Sequence, residues 1–133
     1  MVSDTAPRIR ARARRVDVGQ RALGLWLPVV AWALVIFAFS SVPHLGTDLG
    51  VWDMILRKFA HTFEYAVLGA LLVRALGRPG PAFLLGAVYA ASDEFHQTFV
   101  PGRHGSPVDV AIDAVGIAIG IVLWRRTGQR RLA

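Results

Sequence analysis

Residues 22–42 read ALGLWLPVVAWALVIFAFSSV, 21 consecutive positions without a charge. At about 1.5 Å per residue, a helix of this length crosses the roughly 30 Å hydrocarbon core of a bilayer. Pro28 falls in its first half, where a membrane helix tolerates a kink. Arg-rich sequence precedes the run, as it does in a secretory signal. The run is longer than a usual signal core and AFS is a weak cleavage match, so a retained helix is expected. The rest of the chain agrees. It is 133 residues long and 54% hydrophobic, with a mean hydropathy of +0.46. That is too apolar for an ordinary soluble domain of this size.

Three further apolar segments follow: FAHTFEYAVLGALLVRAL (59–76), PAFLLGAVYAASDEFHQTFV (81–100) and VDVAIDAVGIAIGIVLW (108–124). The breakers GRPG (77–80) and PGRHGSP (101–107) separate them. The pattern predicts an all-α integral membrane bundle of about four transmembrane helices. A basic arm that the sequence marks as flexible (1–20) precedes a transmembrane domain (21–126), and a short basic tail (127–133) follows.

The chain has 15 Lys+Arg against 9 Asp+Glu. With the N-terminus in the cytoplasm and four spans, twelve cations lie inside: the six in residues 8–21, Arg74 and Arg78, and the four in 125–131. Only Arg57, Lys58 and Arg103 lie outside. This asymmetry follows the positive-inside rule and places both termini in the cytoplasm. Topology therefore accounts for the basic balance, and nucleic acid is not an expected partner. The absence of cysteine excludes a disulfide scaffold, thiolate-ligated zinc and a thiol nucleophile.

In this orientation the ionisable side chains gather at the outer end of three helices. The second contributes Lys58, His61, Glu64 and Tyr65, within an arc of about 120° at 100° per residue. The third contributes Asp93, Glu94, His96 and Gln97. The fourth contributes Asp109 and Asp113, which share a face with Gly116-x-x-x-Gly120, a spacing that lets membrane helices approach closely. Arg103, His104 and Ser106 occupy the turn between the last two. A charge inside a bilayer costs at least about 2.5 kcal/mol, so such residues face a protein interior or a wet cavity. His61 and Glu64 have the i, i+3 spacing of bundle metal sites, but that spacing is common among charged neighbours. No metal is assigned on the sequence, and no motif names a cofactor.

These residues carry a resemblance. The chain is similar to the VanZ-like family of small bacterial membrane proteins, through SS.P at 40–43, RKFAHTFEYAVLGALL at 57–72 and YAASDEFHQTFVPGRHGSPVDVAIDAVGIAIG at 89–120. The order H-x-x-E-Y, E-x-x-Q, PGR, D-V and a glycine-spaced helix is specific, and the likeness covers roughly residues 25–124. Many members have phenylalanine where this chain has Thr62. The resemblance implies a bundle of about four helices in the bacterial cytoplasmic membrane. It also implies motif positions at Lys58, His61, Tyr65, Glu94, Gln97, Arg103 and Asp109. Asp93, His96 and Asp113 match part of the family. Its founding member is associated with low-level teicoplanin resistance.

Together these readings predict a multi-pass protein of the cell envelope with a polar pocket on the extracytoplasmic side. The expected partners are the lipid bilayer and a lipid-linked or cell-wall ligand; the oligomeric state is not specified. The pocket is expected to bind or modify an envelope component. The competing reading is an outer-leaflet hydrolase or transferase acting on a lipid-linked anionic substrate. In it His61 and Glu94 serve as acid and base, while Lys58, Tyr65, Gln97, Arg103 and Asp109 bind substrate. Glu64, Asp93, His96 and Asp113 are secondary candidates. A proton or ion pathway is disfavoured, since the inner half offers only Arg74. Because the chain lacks cysteine, orientation has a direct check. A cysteine replacing Ser106 should react with an impermeant thiol reagent added from outside intact cells. Labelling only after permeabilisation would reverse the topology.

Overall fold

The protein is described from a computed structural model, which describes residues 5–43 and 50–130, with side chains for 18–43, 50–52 and 55–128. The described residues form four helices and no strand: α1 (Thr5–Ser40), α2 (Val51–Leu76), α3 (Pro79–Gln97) and α4 (Pro107–Arg130). Three segments are long and apolar enough to cross a membrane: Val18–Ser40, Ile55–Leu76 and Pro107–Gly128. The third helix, α3, is outside that group. Asp93, Glu94 and His96 near its C-terminal end and two prolines at its start lower its hydropathy.

The helix bounds differ from the hydropathy reading at several ends. α1 begins well before the apolar run, through a stretch rich in alanine and arginine, both strong helix formers. The side chains of residues 1–17, which carry five of the arginines assigned to the basic arm, lie outside the described residues. α2 begins at Val51, so Arg57 and Lys58 sit two turns inside a helix and not at its mouth. Gly77, at φ +68°, caps its end by donating its N–H to the Val73 carbonyl, and Pro79 then opens α3. At the start of α4 the Ser106 hydroxyl accepts the Val108 N–H at 3.2 Å, with Pro107 between them. This is the arrangement of an N-cap followed by proline at the first helical position.

The core runs along one seam: Val29 and Ile36 from α1, Tyr65, Leu68 and Leu72 from α2, Ala82 and Ala90 from α3, Ile117 and Ile121 from α4. The outside is as apolar as the inside. Leu23, Leu27 and Leu34, Phe59 and Phe63, Leu84 and Val88, and Val115 and Leu123 all lie exposed. A continuous apolar exterior of this kind is unfavourable in water and natural in lipid.

α2 and α4 form the most extensive contact. Gly116 and Gly120 make it possible. A Cβ at Gly116 would stand 2.6 Å from the Thr62 carbonyl oxygen, and one at Gly120 would collide with that of Ala66. Two helix backbones this close leave no room for even a methyl group. Gly120→Ala should therefore lower the melting temperature of the detergent-solubilised protein by at least about 4 °C, the cost of overpacking by one carbon. Gly24→Ala, with nothing within 4 Å of the added carbon, should leave it unchanged.

Candidate functional site

The polar residues of three helices and one turn meet at one end of the bundle. A cavity of about 380 Å³ opens there, lined by basic Arg57, Lys58, Arg103 and His104 and by His61, Glu94, Gln97, Asp109 and Asp113. Of the predicted site residues, Lys58, His61, Glu94, Gln97, Arg103 and Asp109 line it, as does Asp113. Tyr65 and Asp93 lie beneath it, fully buried. Glu64 and His96 do not line it. The Trp32 indole donates to the backbone carbonyl of Glu64 at 2.9 Å, and the His96 ring lies tilted against Phe37 with Ser41 Oγ 3.1 Å from its Nε2.

The floor is organised by Asp93, 2% exposed. Its Oδ2 accepts from Ser40 Oγ of α1 at 2.6 Å, from the Tyr65 hydroxyl of α2 at 3.3 Å, and from Gln97 Nε2 on its own helix at 3.2 Å. Helix spacing puts Gln97 one turn beyond Asp93, on the same face. Gln97 Nε2 also donates to Glu94 Oε1 at 3.0 Å, and the Ser106 N–H donates to Glu94 Oε2 at 3.0 Å. Glu94 thus ties α3 to the start of α4.

The walls carry the charge. Lys58 of α2 pairs with Asp109 of α4, both side chains partly exposed. Arg103 is held differently. Its Nη2 donates to the Phe39 carbonyl at 2.8 Å, its Nε to the Val42 carbonyl at 3.1 Å and its Nη1 to Gln97 Oε1 at 3.4 Å. All three acceptors are neutral. Burial, then neighbouring Arg57, lowers its affinity for a proton, but a guanidinium remains charged at any physiological pH. On the other wall, His61 Nδ1 lies 3.6 Å from Asp113 Oδ1. That is close enough for an ion pair and too long for a hydrogen bond. Asp113 is 1% exposed, and neither oxygen has a hydrogen-bond partner among the described residues.

Ser40 was not apparent as a member of the site, because a serine at the end of an apolar run reads as a helix terminus. Arg57, which the sequence places only among the outer cations, and His104, which it places in the turn before α4, also line the cavity.

The fold and the site together define a small polytopic helical membrane protein with a polar pocket at one end of an otherwise lipid-like surface. The VanZ/LLP1 family model matches residues 24–128, and the chain belongs to that family. No curated protein and no solved structure matches it.

Removing the Asp93 carboxylate strands the buried Ser40 and Tyr65 hydroxyls and leaves Gln97 Nε2 with Glu94 alone. Asp93→Ala should therefore destabilise the protein by about 3 kcal/mol or more, and Tyr65→Phe by about 1 kcal/mol. Thermal unfolding in detergent checks both. Equal, small losses for the two would mean that the Asp93 cluster does not hold the helices together.

Proposed function

We propose that this protein sits in the bacterial cytoplasmic membrane with both termini inside, and that its cavity opens on the outer face to bind the anionic headgroup of a lipid-linked or cell-wall component. One observation carries this reading: Arg103 reaches the cavity, and its hydrogen-bond acceptors among the described residues are all neutral oxygens, with Asp93, Glu94 and Glu64 acting on it only through space. A phosphate or pyrophosphate supplies the missing anion, and a guanidinium fork is suited to grip it. Lys58 stands on the same cavity and shares its charge with Asp109. The exposed apolar faces of α1 and α3 offer a lipid tail a path alongside the bundle. The arginine asymmetry supports the orientation. Sequestering or altering such a component would change glycopeptide susceptibility, including that to teicoplanin, without contact between protein and drug.

The second reading is an outer-leaflet hydrolase or transferase acting on the same headgroup. It is favoured by Glu94 and His61 lying on the cavity, in reach of a bound anion.

The test is binding of a polyprenyl pyrophosphate to the full chain in lipid nanodiscs, followed by tryptophan fluorescence or native mass spectrometry. Arg103→Ala should weaken binding about tenfold or more, and Arg103→Lys less, because a point charge replaces a fork. Melting temperatures of both variants separate lost binding from lost structure. Undiminished binding by Arg103→Ala would end the headgroup reading. Release of inorganic phosphate in the same samples, lost in Glu94→Gln, would select the hydrolase.

A further inference from the structure

Donor atoms of His61 (α2), Glu94 (α3) and Asp113 (α4) lie within 4.8 Å of one another. Among the described residues these are the histidine and carboxylate side chains that three different helices aim at one point. Each also lines the cavity. Three acidic or histidine side chains near one another are common and mean little alone. Here a second observation bears on them. Asp113 is 1% exposed, it faces the cavity, and both its oxygens lack a hydrogen-bond partner among the described residues. A carboxylate buried without a donor costs several kcal/mol unless a cation sits against it. His61 stands nearest, but at 3.6 Å it does not close the bond.

We propose that His61, Glu94 and Asp113 bind a divalent transition-metal ion of the zinc type, with a coordination position left open to the cavity.

The donor set decides the class of ion. One imidazole nitrogen and two carboxylate oxygens suit zinc, which takes mixed nitrogen and oxygen ligands in a tetrahedron. Calcium and magnesium ask for six or more oxygens and are poorly served by three side chains that include an imidazole. Three protein ligands around zinc leave a fourth position for water or a substrate oxygen. The geometry is close. Donors about 2.0–2.2 Å from a tetrahedral ion stand about 3.4 Å apart, so each side chain need move inward by less than about 1 Å.

The surroundings fit as well. Glu94 already receives Gln97 Nε2 on one oxygen and the Ser106 N–H on the other, the outer bonds that orient a ligating carboxylate. Each oxygen keeps a second lone pair for the ion. The charges balance: two carboxylates and a neutral imidazole cancel a divalent ion. Of the neighbouring cations, Lys58 is paired with Asp109, and Arg103 is tethered to carbonyl oxygens of α1 and the turn after it. Metal binding stands apart from the anion reading, since the ion needs no headgroup in order to bind.

The experiment uses the full chain purified in detergent, freed of metal, given a slight excess of zinc and desalted. Elemental analysis should find about one zinc per chain for the wild type and for His96→Ala, whose histidine lies off the cavity. Asp113→Asn and His61→Ala should retain less than about a fifth of that. Zinc should raise the wild-type melting temperature by about 5 °C and EDTA should reverse the rise, a comparison that needs no variant to fold. Cobalt in place of zinc should give visible absorption bands that Asp113→Asn lacks. A wild type that holds no zinc, or zinc held equally by all four proteins, overturns the proposal. Polyprenyl pyrophosphate binding, measured on the metal-free sample, then stands or falls separately.

Discussion

One carboxylate holds most of this bundle in register. Asp93 Oδ2 takes hydrogen bonds from α1, α2 and its own helix, and through Gln97 it connects to Glu94 and so to the start of α4. In lipid, helices gain nothing from hiding apolar surface against each other, because the tails outside are as apolar as a leucine. What fixes their relative rotation is packing of small residues and satisfaction of polar groups. This protein uses both. Gly116 and Gly120 bring the backbone of α4 onto α2, and the Asp93 cluster pins the end where the cavity opens. The same hydrogen bonds, which offset part of the cost of burying a carboxylate whose Oδ1 has no partner among the described residues, therefore also decide which side chains face the pocket.

α3 shows how the two devices divide one helix. Its buried residues run Ala82, Gly86, Ala90 and then Asp93, Glu94, Gln97. The first half is small and lets Ile117 of α4 lie against it; a Cβ at Gly86 would come within 3.0–3.2 Å of that side chain. The second half is polar and builds the site. This composition keeps α3 out of the segments long and apolar enough to cross a membrane. α3 keeps an apolar outer face, with Phe83, Leu84 and Val88 exposed, and spends its inner face on polar chemistry.

Much of this was legible in the sequence. The 22–42 run gave α1 because 21 uncharged residues have few other uses, and the depth of each charge gave the convergence at one end. The resemblance placed six residues that the cavity does collect. The pairing was not legible. Helical periodicity says which face of one helix carries His61, but not how that helix is turned against its neighbours. Spacing suggested Glu64 as its partner; the fold sets His61 beside Asp113 and Glu94 instead, from two other helices. Ser40 was missed for the same reason. Its partner lies 53 positions away, and only the packing of α1 on α3 brings the two together.

The cavity leaves two groups of opposite sign incompletely met. Among the described residues Arg103 has only neutral hydrogen-bond acceptors, and Asp113 has no hydrogen-bond donor. Gln97 connects Arg103 to the carboxylates of α3: its amide oxygen takes Arg103, and its nitrogen gives to Glu94 and Asp93. The amide cannot turn over without pointing its N–H₂ at a guanidinium and its oxygen at two carboxylates, so its neighbours fix its orientation. A single monovalent ion cannot satisfy both Arg103 and Asp113. A divalent cation against Asp113 and an anionic oxygen against Arg103 would do so together. The two proposed ligands thus answer complementary deficits in one cavity. Gln97 is the group through which a pull on Glu94 by the proposed metal would be felt at Arg103, the residue proposed to hold the anion.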